Sequence, residues 1–197
     1  MQPSNVNLFR ISKLQQFIKM KAFSRFLIVL GTVVLAATSV NAQKPIDLRL
    51  SYGGYTQMDA TDCHDNWSDV NNAWGALNAE VSFNLTNKFS LGPSYTFSST
   101  TAGDGAHKSN IAYHAIMLNG RYKYWKNSIV TLYGHLGLGV VVSHMQPRHE
   151  DAYNCTYFGV QVAPLGAEVG IGSGFSLYGE LGFGAQGLLQ VGFKYTI

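Results

Sequence analysis

Three polar stretches hold most of the residues that could do chemistry. Asp59, Asp62, Asp65, Asp69 and His64 fall within 56–74, Asp104 and His107 within 99–110, and His144, His149, Glu150 and Asp151 within 143–156. Imidazoles and carboxylates gathered on loops are the donor set of a divalent-cation site. The same composition is more often a solvated loop surface, and no metal is expected. Ser143, His144 and Glu150 supply the residue types of nucleophile, base and acid. One shared loop does not fix their geometry, so no catalytic residue is assigned. No phosphate-cradling glycine loop, zinc-ligand spacing or nucleophile elbow occurs, and no cofactor is expected. The many glycines between 134 and 184 precede no helical pattern and suit close strand packing instead. Cys63 and Cys155 are the two cysteines. Both fall in polar, turn-rich segments, and they form a candidate disulfide, with two free thiols as the alternative.

The remaining charges lie on segments of a different kind, where apolar and polar residues alternate with period two, the signature of a half-buried strand. Leu48, Leu50 and Tyr52 alternate with Asp47, Arg49 and Ser51. Leu77 to Leu85 repeats the pattern around Asn78, Glu80 and Ser82, and Phe89 to Phe97 around Ser90, Ser94 and Thr96. Ile116 to Tyr124 does so around Asn119, Arg121 and Lys123, and Val130 to Val142 around Thr131, Tyr133 and His135. Leu165 to Ile171 flanks Glu168, Phe175 to Phe183 flanks Glu180, and Leu189 to Ile197 flanks Gln190 and Lys194. In the sixth segment Phe158, Val160 and Val162 have the opposite parity to Leu165 and its successors. A β-bulge near Ala163-Pro164 would restore the phase, and proline is tolerated at bulges.

The connections alternate in length. Tight turns are expected at 86–88, 126–128 and 172–174, long polar loops at 56–74, 99–110 and 143–156, and a short link around Gly184 to Gly187. Short turn, long loop, short turn describes an up-and-down meander. Eight strands so connected close into a small barrel and leave no unpaired edge.

The polar face decides what surrounds that barrel. It is built of Gly, Ser, Thr, Asn and Ala, where a water-facing surface would carry many more Lys and Glu. Its charges are Asp47, Arg49, Glu80, Arg121, Lys123, Glu168, Glu180 and Lys194, balanced in sign as a water-poor lumen requires, because unpaired buried charge is expensive. Charged residues are only 13% of the chain, against roughly 25% in soluble domains. Tyr52, Tyr95, Phe97, Tyr122, Tyr124, Phe193 and Tyr195 sit near strand ends on the apolar face, as an interfacial aromatic girdle would. Polar inside and apolar outside is the arrangement of a transmembrane barrel. A soluble lipocalin-like ligand carrier, with the faces reversed, is the alternative.

The first part of the chain accounts for the export. Residues 20–42 combine Lys21 and Arg25, an apolar run from Phe26 to Ala37, and the small residues Val40 and Ala42, which makes a signal peptide cleaved after Ala42. The apolar run is shorter than the ~20 residues that cross a bilayer. Residues 1–19 read as an upstream extension before a start at Met20, and 43–197 as the mature barrel. The +3 formal charge comes from the leader: Arg10, Lys13, Lys19, Lys21 and Arg25 precede residue 43 without an acidic residue, leaving 9 basic against 11 acidic groups. No nucleic-acid partner is expected.

Signal peptide, eight strands, tight turns at one end and long loops at the other resemble the small outer-membrane barrels of the OmpA and OmpX type, and especially the outer membrane protein beta-barrel family of Bacteroidota. The resemblance spans about residues 46–197. It implies location in the bacterial outer membrane, contact with outer-membrane lipids, insertion by the barrel-assembly machinery, a monomer, and a non-enzymatic role in envelope structure or in binding an extracellular partner through the loops. Gly187 to Ile197 resembles the C-terminal signal read by that machinery, departing from it in Ile197 where an aromatic residue is usual. Barrels of this location also include lipid-modifying enzymes with a site at the outer rim, which is the second alternative.

Overall fold

A computed structural model describes residues 45–60, 75–102, 109–146 and 152–197. It consists of β1 (Ile46–Gly54), a single helical turn α1 (Gln57–Ala60), β2 (Ala76–Asn84), β3 (Phe89–Ala102), β4 (Ser109–Lys126), β5 (Val130–Gln146), β6 (Tyr153–Gly172), β7 (Phe175–Gly184) and β8 (Leu189–Thr196). Each strand pairs antiparallel with the next, and β8 returns to β1, so the sheet is a closed eight-stranded up-and-down barrel. Asp47 faces Thr196 and Tyr52 faces Val191 across the closing seam. The leader segments 1–19 and 20–42 lie outside the described residues.

The alternation in the sequence becomes an alternation of environment, because successive side chains of a strand point to opposite faces. Leu50 is 60% exposed while its neighbours Arg49 and Ser51 are 3% and 4% exposed. Leu118, Leu136, Val191 and Phe193 likewise stand on the outside, and Asn119, Arg121, His135 and Gln190 are buried inside. Hydrocarbon outside and polar side chains inside is the wall of a transmembrane barrel and the reverse of a soluble lipocalin-like one. Among the described residues no helix is long and apolar enough to cross a membrane.

Local chemistry explains the short-turn end. In the β2–β3 turn the Thr86 hydroxyl accepts from the amides of Lys88 and Phe89. In the β4–β5 turn the Asn127 side-chain oxygen accepts from Ile129 N and Val130 N. Gly172, Ser173 and Gly174 all take positive φ at the tight β6–β7 turn, the conformation two-residue hairpins prefer. The β6 phase change sits where the alternation placed it, with register shifts between Val162 and Leu165 and, on the β5 side, opposite Tyr133 and His135.

The long-loop end differs from the sequence reading. β3 continues to Ala102, β4 begins at Ser109, β5 runs to Gln146 and β6 begins at Tyr153, so much of 99–110 and 143–156 is strand. Above the apolar band a strand has no need of an apolar outer face, and Asn110, His144 and Asn154 are outward residues that read as loop.

Candidate functional site: a sealed lumen and its lid

The lower lumen, toward the short turns, holds two groups of charges. In the first, Arg121 lies between two carboxylates, pairing with Glu80 and, through Nε at 3.1 Å, with Glu180. Glu180 is saturated. It also accepts from Tyr133 Oη at 2.9 Å, from His135 Nδ1 at 2.7 Å and from Gln190 Nε2 at 3.3 Å. Asn119 Nδ2 donates to Glu80 at 2.7 Å. These donors come from β4, β5 and β8, so one carboxylate on β7 ties the barrel across its bore.

The second group lies nearer the turns. Glu168 on β6 pairs with Lys194 on β8 and, at 3.2 Å, with Arg49 on β1. Asp47 lies 3.8 Å from Arg49 and accepts from Thr196 Oγ1 at 2.7 Å. Lys123 donates to Asn84 Oδ1 at 2.9 Å. The Arg49 guanidinium sits over the rings of Tyr178 and Tyr133, with centroids 5.0 and 5.6 Å away, and Arg121 is 6.0 Å from the Tyr133 ring. Tyr133 thus joins the groups, and cation–π contact answers the part of the Arg49 charge that no carboxylate reaches. All eight charges singled out from the alternation lie on the lumen side of the wall. His135, Tyr133, Asn119 and Gln190 complete the network. Only strand parity, His135 alternating with outward Leu136, marked their face.

Above the charges the bore is closed by the chain itself. The β7–β8 connection, Gly184–Gly187, folds inward, and Ala185 and Gln186 are buried. Gln186 Nε2 donates to Ser94 Oγ on β3 at 2.9 Å, and its backbone oxygen accepts from Asn78 Nδ2 on β2 at 3.1 Å. The Gln161 amide on β6 answers from the other side, receiving Gln186 N at 2.9 Å and donating to Gly187 O at 3.1 Å. Gly53 makes room for this lid: a Cβ there would stand 1.8 Å from Gln186 O. Gly184 and Gly187 take φ of 137° and 113°, which suits glycine.

Above the lid the lumen is apolar, a departure from the uniformly polar interior that the sequence suggested. Ile111, Tyr113, Ala115 and Met117 of β4 and Val141 of β5 point inward and pack with Ala185 and Met58. Met58 belongs to α1, so the start of the first long connection is a stopper in the mouth. Gln57 beside it takes the place of a missing strand. Its side chain donates to Phe158 O and accepts from Val160 N, both at 3.1 Å, where β6 rises past β7.

Among the described residues the loop chemistry does not assemble into a reaction centre. Ser143 is buried toward the lumen, whereas His144 next to it faces outward, its Nδ1 2.5 Å from Asn154 Oδ1. Consecutive strand residues point to opposite faces, so this pair cannot act as nucleophile and base. Glu150 lies outside the described residues, as do His64, His107, His149, Asp62, Asp65, Asp69, Asp104 and Asp151. Among the described residues no three His, Cys, Asp or Glu side chains are grouped to hold a metal. Cys155 belongs to β6, opposite Ser143, and not to a loop. It is disulfide-bonded, and Cys63 lies outside the described residues.

No protein-family model matches the chain, and no curated protein matches it. Among solved structures it is similar to Ail, the attachment invasion locus protein of Yersinia pestis, in complex with the heparin analogue sucrose octasulfate, at 13% identity and a TM-score of 0.41 over 78% of this chain and 92% of that one. It is similar to Ail in a phospholipid bilayer nanodisc at 13% identity and a TM-score of 0.43, over 79% of this chain and 100% of that one. It is also similar to the N-terminal β-barrel domain of Pseudomonas aeruginosa OprF, at 12% identity and a TM-score of 0.41 over 79% and 100%.

Proposed function

We propose that this chain is a non-enzymatic barrel of the bacterial outer membrane, exported by a leader removed after Ala42, that spans the membrane as a closed cylinder and presents its long connections to the exterior. The observation that carries the reading is the inverted wall: apolar side chains outside, and inside a charge network tied off between strands far apart in sequence. The short turns face the periplasm. The barrel acts as a monomer, inserted by the barrel-assembly machinery, and contributes to envelope structure or engages an extracellular partner through its loops. The lid and the Met58 stopper keep it from being a porin, and the opposed Ser143 and His144 argue against a lipid-modifying site at the rim. Separation of inner and outer membranes tests this reading. The protein is expected in the outer-membrane fraction, beginning at Gln43, and migrating faster in gels when unboiled than when boiled. Recovery in the soluble periplasm, or a mature form keeping the Phe26 to Ala37 segment, would overturn it.

A further inference from the structure

The outer wall carries a depression between β3 and β6. Gly120 on β4 pairs with Leu136, and Gly134 on β5 pairs with Tyr122, so two adjoining outward positions have no side chain. The register shift at Tyr133/His135, opposite Ala163 and Pro164, widens the gap. The result is a groove of about 570 Å³, walled by Phe89, Leu118, Leu136, Leu138 and Tyr124. Ligand pockets have volumes of ~300–1,000 Å³. The groove runs for about 20 Å along β4 between Leu118 and Tyr124 at ~3.3 Å per residue. It is continuous with the lipid-facing wall, so hydrocarbon is what reaches it.

Charge at its lower end points to the kind of lipid. Lys88, in the β2–β3 turn, accepts the Lys123 amide on its backbone oxygen at 2.7 Å, which fixes that turn against the end of β4. Lys126 closes β4 at the next turn. Both are exposed, and neither has a carboxylate partner among the described residues. Trp125 and Tyr124, also exposed, flank Lys126 where the apolar band ends, as interfacial aromatics do. Basic groups at this depth attract anionic headgroups.

We propose that the Gly120–Gly134 groove and the Lys88 and Lys126 ammonium groups form one binding site for an anionic phospholipid of the leaflet at the short-turn end, with an acyl chain along the groove and the phosphate at the lysines. The proposal rests on the membrane-spanning reading above. It gives the barrel a fixed lipid on the β3–β6 side.

Tryptophan quenching by brominated lipid tests it. The full mature protein with Trp67→Phe and Trp74→Phe keeps Trp125 as its one tryptophan. It is refolded into phosphatidylcholine vesicles containing either acyl-brominated phosphatidylglycerol or acyl-brominated phosphatidylcholine. The expected result is about thirtyfold stronger apparent binding of the anionic lipid, the factor two lysines near the surface together provide. Lys88→Gln with Lys126→Gln should abolish the preference. Gly134→Leu should reduce it by filling the groove, since a Cβ there meets nothing closer than Pro164 O at 3.8 Å. The shift in gel mobility on boiling shows that each variant is folded. Equal quenching by the two lipids overturns the proposal and leaves the membrane reading intact. So does a preference that survives Gly134→Leu unchanged, or a second copy of the chain occupying the groove, seen as a sedimenting dimer. Quenching by neither lipid, with a monomer, overturns the membrane reading and this site with it.

Discussion

Arg121 is the residue on which the lower lumen turns, because it neutralises carboxylates on two strands, Glu80 of β2 and Glu180 of β7. Replacing it with methionine keeps the stem and removes the charge, leaving both carboxylates in a site from which water is largely excluded. Breaking a buried pair on one side costs ~3–5 kcal/mol. Reversible urea unfolding of Arg121→Met in lipid vesicles should show a loss of that size. The double variant Arg121→Met with Glu180→Gln should recover part of it, because one of the stranded charges is gone. A single variant as stable as the parent would mean that the network contributes nothing to stability. Cys155 makes a second prediction at this scale. We propose Cys63 as its disulfide partner, which would pin the first long connection to the β5–β6 side of the mouth and add ~2–4 kcal/mol by restricting the unfolded chain. Mass spectrometry without reduction should recover one peptide pair joined through Cys63 and Cys155. Separately alkylated thiols from freshly isolated membranes would exclude the bridge.

Among the elements, the inward fold of Gly184–Gly187 is the one a local change tests best. Gly53 and Gly54 are neighbours at the end of β1. A Cβ on Gly53 would collide with Gln186 O, whereas one on Gly54 meets nothing within 4 Å. Gly53→Ala should therefore displace the lid, with a cost of ~1–3 kcal/mol typical of overpacking. The Ala185 and Gln186 amides, held by Val160 O and Gln161 Oε1, should then exchange with solvent faster. Gly54→Ala should leave both protected. Unchanged exchange in Gly53→Ala would show that the lid is not seated as described. The sequence did not disclose this element, because Gly184–Gly187 has the composition of an ordinary turn, and its partners Asn78, Ser94 and Gln161 are distant in the chain. The strands themselves were legible where one face meets lipid, since the period of two is forced there, and the phase slip at Ala163-Pro164 was legible for the same reason. Outside that band the constraint lapses. The upper parts of β4, β5 and β6 looked like loops, and the inward Ile111, Tyr113 and Val141 gave no sign of forming an apolar cluster. The lumen charges could be assigned to a face by parity, but which carboxylate meets which base depends on register around the closed barrel.

For the whole molecule, the obstructions in series lead to the prediction that the barrel does not conduct. Eight strands leave a bore that side chains fill, and here a charge network, a lid and the Met58 stopper occupy it in turn. In planar bilayers the purified protein should show at most rare, small current steps, and sustained large openings would contradict the sealed lumen. The inversion of the wall is reported most directly by β8, since Leu189, Val191 and Phe193 face out while Gln190 and Lys194 face in. Spin labels placed singly from 189 to 194, with Cys63 and Cys155 replaced by serine, measure how far oxygen and a water-soluble nickel chelate reach each position in vesicles. A period of two is expected, with 189, 191 and 193 open to oxygen and closed to nickel, and 190 and 194 shielded from oxygen. Nickel access at 191 and 193 would place the apolar face in water and contradict it.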